Sequence, residues 1–168
     1  MRNEEVFVAG GKADRRWAVL RIVLLLVVTA VWWIGVTCPF VHLDDPLYAS
    51  NNAHISSGLS ADNIRWAFSN TEAGFFFPLT WLSLQLDASL FGPGPIGMHA
   101  TNVLLHVLNT LLVYGVFSRL TGRPWRSFIV AALFSIHPLR VESVVWVTER
   151  KDVLSAFFGL LSLLAYVG

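Results

Sequence analysis

The sequence has a single cysteine, Cys38, so no internal disulfide can form and the redox compartment stays open. Charge is scarce: Asp, Glu, Lys and Arg make up 14% of the 168 residues, against 55% for the hydrophobic set. With a mean hydropathy of +0.59, there is too little charge to cover a soluble domain of this size, and the composition is that of a membrane protein. The sequence also lacks Cys/His groups at zinc spacing, a Gly-rich phosphate loop and any periodic repeat, which leaves out the zinc modules, P-loop enzymes and solenoids. A formal charge of +1 says little about partners, and nucleic acid is not expected among them. The placement of the few charges carries the information.

What the sequence does have is long apolar runs. The first, "AVLRIVLLLVVTAVWWIGVTC" at 18–38, matches the ~20 residues needed to cross ~30 Å of hydrocarbon. Its length and the lack of a small-x-small cleavage site argue for a retained helix rather than a signal peptide. Arg2, Lys12, Arg15, Arg16 and Arg21 lie before it or at its start, so the leader 1–17 is expected on the cytoplasmic side. A long outer segment, 39–97, follows with Asp44, Asp45, Asp62, Glu72 and Asp87 against one basic residue, Arg65. Within it "LSADNIRWAFSN" reads as a helix capped by Ser60, with Ile64, Ala67 and Phe68 at helical spacing. "PLTWLSLQLDASLFGPGP" reads as a second helix from Pro78, stopped at Gly92 to Pro95, with Leu79, Leu82, Leu86 and Leu90 on one face beside Trp81. Such helices are expected to lie along the membrane surface.

The second crossing is expected at 98–120. His99, Asn102, His106 and Asn109 fall on one stripe of it, which should face a bundle and serve helix-to-helix hydrogen bonds, with His99 apart at the outer mouth. Arg119, Arg123 and Arg126 then place a tight turn inside, in agreement with the first crossing. The apolar run 127–136 spans only half a membrane before His137-Pro138, where helix is disfavoured, so the backbone should break at depth against protein or a cavity. A second outer loop, 137–152, contains the short apolar "VESVVWV" and the charged "TERKD", and 153–168 begins a fourth crossing. The expectation is an all-α, polytopic membrane helical bundle of about four transmembrane helices, the third short or broken, and a fragment of something longer.

Two outer elements carry chemistry. Adjacent Asp44 and Asp45 in "HLDDPLY" suit a general base that takes a proton from a hydroxyl, because like charges raise one of the pair. Arg140, Arg150 and Lys151 in "HPLRVESVVWVTERKD" suit a phosphate, with Glu142 close in sequence. Together they suggest transfer from a lipid-linked phosphate to a polar acceptor. By themselves, "DDP" also reads as a turn or helix start and "ERKD" as a solvated helix end.

From about Phe40 onward, three blocks in order, "FVHLDDPLYASNN", "PLTWLSLQLDASLFGPGPIGMHATNVLLHVLNTLLV" and "ALFSIHPLRVESVVWVTERKDVLSAFFGLL", resemble the amino-terminal half of the membrane module of the transmembrane, tetratricopeptide-repeat-linked O-mannosyltransferases and their bacterial relatives, of the GT-C superfamily. The resemblance implies a metal-independent, inverting transferase that moves a sugar, mannose by family, from a polyprenyl-phosphate carrier to an acceptor hydroxyl of a protein on the outer (periplasmic or luminal) face. No cofactor and no divalent metal is expected. It implies Asp44 or Asp45 as the base, Asp44 preferred, and assigns Glu142 to orient acceptor or sugar. Arg150, with Lys151 and Arg140, would hold the carrier phosphate, while His137, Pro138 and Asp152 match the second-loop motif and His99 could join the pocket. Phe77 stands where some relatives have Arg, and Leu84 and Gln85 where many bacterial relatives have His. The family's further helices and repeat domain would be partners supplied by a longer chain. Competing readings are a non-catalytic scaffold or pseudoenzyme fragment and, further off, a transporter subunit using the broken helix and the His/Asn stripe.

Overall fold

The computed structural model describes residues 2–71 and 74–167, with side chains from residue 16 onward. Of the residues named above, Glu72, Gly168 and the side chains of Arg2, Lys12 and Arg15 lie outside that description. The described residues are helical and contain no strand. The elements are α1 (Arg2–Val36), α2 (Ala53–Ser56), α3 (Ala61–Ser69), α4 (Pro78–Phe91), α5 (Pro95–Thr121), α6 (Pro124–Ile136), α7 (Arg140–Val145) and α8 (Arg150–Tyr166). A π-helical turn, Pro46–Ser50, precedes α2, and a 3-10 turn, Val147–Glu149, joins α7 to α8.

Among the described residues, two helices are long and apolar enough to cross a membrane: Arg16–Val36, 21 residues, and Pro95–Thr121, 27 residues. The backbone of α1 is helical back to Arg2, through the stretch read only as a leader. Helix α5 starts three residues before the expected crossing because Pro95 fits the first helical position after Gly94. It ends at Gly122, whose φ of 63° is the left-handed conformation that closes a helix. Likewise α6 begins at Pro124 rather than 127, and its 13 residues cover ~20 Å, short of a full crossing. It stops at His137, in extended backbone, as the following proline requires.

Helix α5 is the axis of the bundle. Helices α1, α6 and α8 pack along it, while α4 and α7 meet its amino-terminal end. Leu24, Val113, Tyr114 and Ala131 are buried toward one end, and Val28, Trp32, Val36, Val103, Val107, Val144 and Val153 fill the middle. The opposite faces expose apolar side chains, among them Leu26 at 60%, Ile34 at 76% and Leu133 at 62%. This surface suits lipid, where packing and hydrogen bonds rather than water exclusion hold helices together. The chain is thus an all-helical membrane protein.

Polar residues of α5 resolve the problem created by the broken α6. The Ser135 carbonyl loses its i+4 donor when the helix ends, and it accepts from Trp32 Nε1 at 2.8 Å and bonds His106 Nε2 at 3.0 Å. Asn102 Nδ2 donates to the Trp146 carbonyl at 3.1 Å, where α7 ends, and Asn109 Nδ2 to Val153 O at 2.9 Å. Three members of the stripe therefore satisfy backbone at or near the ends of α6, α7 and α8, which hydrocarbon alone could not do. This is the helix-to-helix role expected for them.

The segment between α1 and α5 folds, with the start of α5, into its own small core of Tyr48, Ile55, Ala67, Trp81, Leu84 and Met98. Burying each large apolar side chain there contributes about 1.5–3 kcal/mol if its alternative is water. Ser60 caps α3 as expected, accepting from Asn63 N. Asn52 caps the short α2, an element absent from the sequence reading. Gly58 has φ 76°, and an added Cβ would lie 2.5 Å from Ser89 Oγ, which accepts from Leu59 N at 2.7 Å. Helix α4 is inverted relative to a soluble amphipathic helix. Its leucine face is largely exposed (Leu79 55%, Leu86 45%, Leu90 64%), while Thr80, Trp81, Leu84, Gln85, Asp87 and Ala88 are buried. The polar groups turn inward because they have partners there, as Asp87 and Gln85 show.

Candidate functional site

The two acidic neighbours separate into different roles. Asp45 is fully buried at the start of the π-turn, and its side chain reaches back along the chain instead of capping that turn: Oδ2 accepts from Val41 N at 2.7 Å. Its Oδ1 accepts from Thr148 N at 3.0 Å and Thr148 Oγ1 at 2.7 Å. One carboxylate thereby ties the loop after α1 to the turn before α8 across 103 positions of sequence. Asp44, next to it, is exposed.

That tie brings a cluster together. Tyr48 stacks on Trp81 and Phe77, and Lys151 Nζ lies 6.0 Å from the Tyr48 ring centroid. Lys151 Nζ donates to Glu149 Oε1 at 2.8 Å. Burial first, then the negative charges of Asp44 and Glu149, hold the Tyr48 phenol above its ordinary value, so it stays a neutral donor. Asp44, Tyr48, Glu149 and Lys151 thus share one rim. Tyr48 and Glu149 were not among the expected site residues: Tyr48 carries no local signal and Glu149 reads as one member of the charged TERKD. It is the contact between the two loops, the Asp45–Thr148 bonds included, that brings them together.

Arg150 is wholly buried. Its Nε donates to Asn102 Oδ1, its Nη1 to Ser83 Oγ at 2.8 Å, and its Nη2 to Asp87 Oδ2 and the Met98 carbonyl, both at 2.7 Å. Four of the five guanidinium N–H groups are engaged within the chain, so this arginine pins α4, α5 and α8 together. Thr101 Oγ1 donates to the other Asp87 oxygen at 2.7 Å. Burial pushes the Asp87 carboxyl upward, opposed by the Arg150 charge and the Thr101 and Arg150 hydrogen bonds. Asp87 was noted in the sequence only as one of several outer acids.

The other expected residues are placed as follows. His99 is fully buried; its ring nitrogens lie near the carbonyls of Pro39 and Val145 without ordinary hydrogen-bond geometry, and its ring is 6.4 Å from Phe40. The charges acting on it are those of Asp45 and Arg150. His137 is exposed and Arg140 half-buried at the end of α6, where the Arg140 guanidinium lies 4.5 Å from the Phe134 ring centroid. With Leu133 and Leu139 they line a groove of about 530 Å³. Leu139 in that lining is 80% exposed. Glu142 is exposed in the first turn of α7, and Asp152 accepts from Ser143 Oγ at 3.1 Å. No group of three or more His, Cys, Asp or Glu at metal-binding geometry occurs among the described residues.

Broken helices with their backbone satisfied by polar side chains, and an acid–cation rim at one end, define a helical membrane protein with a surface-facing polar site. Protein O-mannosyl-transferase TMTC1 of Mus musculus is 35% identical over 139 residues, covering 76% of this chain and 14% of its own. TMTC4 of Homo sapiens is 38% identical over 112 residues (58% and 15%), and Tmtc2 of Drosophila melanogaster 35% over 133 (74% and 14%). The chain belongs to this TMTC family of protein O-mannosyl-transferases and spans about one seventh of the length of the curated relatives it matches. No family model matches the chain, and no solved structure does.

Proposed function

We propose that this chain is part of a multi-pass GT-C-type glycosyltransferase that moves mannose from a polyprenyl-phosphate carrier to a protein hydroxyl on the non-cytoplasmic face. The observation that carries the reading is the Asp45–Thr148 tie, which gathers an exposed carboxylate and a cation from two distant loops onto one rim. In the reaction, Asp44 takes the acceptor hydroxyl proton as its oxygen attacks the anomeric carbon. The bond from that carbon to the carrier phosphate breaks, with inversion, and the phosphate leaves with the bond's electron pair. Lys151 meets its charge from the rim, and Arg140 with His137 from the lipid-facing groove. Arg150 acts through position, fixing the start of α8 and hence Lys151. Glu142 orients the acceptor or sugar, and buried His99 supports Asp45 from behind. No divalent ion is proposed.

The orientation follows the basic residues at the opposite end, Arg16, Arg21, Arg119, Arg123 and Arg126. The test measures mannose transfer to a Ser/Thr peptide in membranes expressing the chain in its native reading frame. Asp44→Asn should lower the rate by roughly 10²–10⁴-fold, the scale of a general base, with thermal stability unchanged. Asp45→Asn should lower stability first. A wild-type rate in Asp44→Asn overturns the assignment of the base.

A further inference from the structure

At the end of the bundle remote from this rim, a groove of about 720 Å³ runs between α1, α5 and α8. Trp17, Arg21, Leu111, Ser118, Arg119 and Leu164 line it. Arg21 lies 5.9 Å from the Tyr114 ring centroid, and Arg119 spends one Nη1 bond, at 2.8 Å, on the Leu164 carbonyl. Both keep further donors, since a guanidinium has five. Behind Arg21 and Trp17, Tyr114 is completely buried and Ser118 is 7% exposed. Tyr114 Oη and Ser118 Oγ lie near each other, and neither has a hydrogen-bond partner of ordinary geometry. Buried hydroxyls are rarely left so, and the roomy groove that Ser118 lines, apolar over most of its wall but flanked by two guanidiniums, points to a ligand.

The chemistry of that ligand is constrained. Among the residues whose side chains are described, the charged groups at this end are Arg16, Arg21, Arg119, Arg123 and Arg126, and the acidic ones lie between Asp44 and Asp152. Glu4, Glu5 and Asp14 stand on the earlier turns of α1. Two guanidiniums flanking a hydroxyl match a phosphate, and Trp17 with Leu111 and Leu164 matches an acyl chain beside it. The groove sits where α1 enters its apolar stretch at Arg16, the depth of a lipid headgroup.

We infer that this groove binds the phosphate of an anionic membrane lipid, held by Arg21, Arg119 and Ser118, independently of the transfer site. The exposed turn residues Arg123 and Arg126 serve as the comparison, because they share the end but not the groove.

The experiment reconstitutes the chain in nanodiscs of phosphatidylcholine with phosphatidic acid, extracts it at high salt to screen diffuse attraction, and counts retained lipid by native mass spectrometry. Phosphatidic acid should be retained at least tenfold over phosphatidylcholine. Arg21→Gln with Arg119→Gln should lower that retention about tenfold or more, Ser118→Ala less, and Arg123→Gln with Arg126→Gln under twofold. A second arm adds inorganic phosphate to the detergent-solubilised chain, and it should not displace the lipid at millimolar levels. Equal retention of the two lipids, equal loss in the groove and turn variants, or displacement by inorganic phosphate would each overturn the lipid site.

Discussion

Replacing Asp87 with Asn tests whether Arg150 holds the outer segment to the bundle. The substitution keeps shape, so Thr101 can still donate and the guanidinium keeps Asn102, Ser83 and the Met98 carbonyl. What is lost is the only negative charge in direct contact with a cation that has no exposed surface. Removing one partner of such a pair costs about 3–5 kcal/mol, because the remaining charge stays desolvated. An exposed pair is worth far less, and Asp62–Arg65, with side chains 89% and 78% exposed, supplies the internal comparison. Equilibrium unfolding in mild detergent, followed by tryptophan fluorescence near Trp81, should report the full loss for Asp87→Asn and no measurable change for Asp62→Asn. The pair Asp87→Leu with Arg150→Met removes both charges and should cost clearly less than the two single changes summed, giving a coupling of about 2–3 kcal/mol. If Asp87→Asn costs under about 1 kcal/mol, the value of a solvated pair, the clamp reasoning fails.

Three further outcomes follow from the geometry. Asp44→Asn removes one of the charges that raise Tyr48, so the Tyr48 phenolate, followed by absorbance with Tyr114 and Tyr166 changed to Phe, should appear at lower pH; an unmoved or higher midpoint contradicts the shared rim. His106→Leu should cost about 1 kcal/mol while Trp32 still serves Ser135 O, whereas adding Trp32→Phe leaves that carbonyl orphaned and should cost more than the two changes summed, measured by thermal unfolding in detergent. Gly58→Ala meets both a positive φ and the Ser89 hydroxyl, so it should destabilise the outer segment by about 1–3 kcal/mol, visible as faster proteolysis between α2 and α4; unchanged cleavage would refute the strain.

The inverted face of α4 shows where sequence periodicity misleads in a membrane protein. A leucine stripe normally marks the buried side, yet here Leu79, Leu86 and Leu90 are largely exposed and Asp87 is buried. When the surroundings are lipid, the apolar face has no reason to turn inward, and hydrogen-bonding demand decides instead.

The sequence by itself determined the helical class, the apolar runs, the cap at Ser60, the helix start at Pro78, the break at His137-Pro138 and the bundle-facing stripe from His99 to Asn109. Each of these is set by residues within a turn or two of one another, through backbone sterics and helical period. Tertiary structure alone decided which charge does what. Asp44 and Asp45 are neighbours with the same side chain, and the bonds from distant Thr148 make one a strut between two loops while the other stays at the surface. Arg150 and Lys151 divide in the same way, because burial and the reach of Asp87 act through space and leave no mark on local sequence.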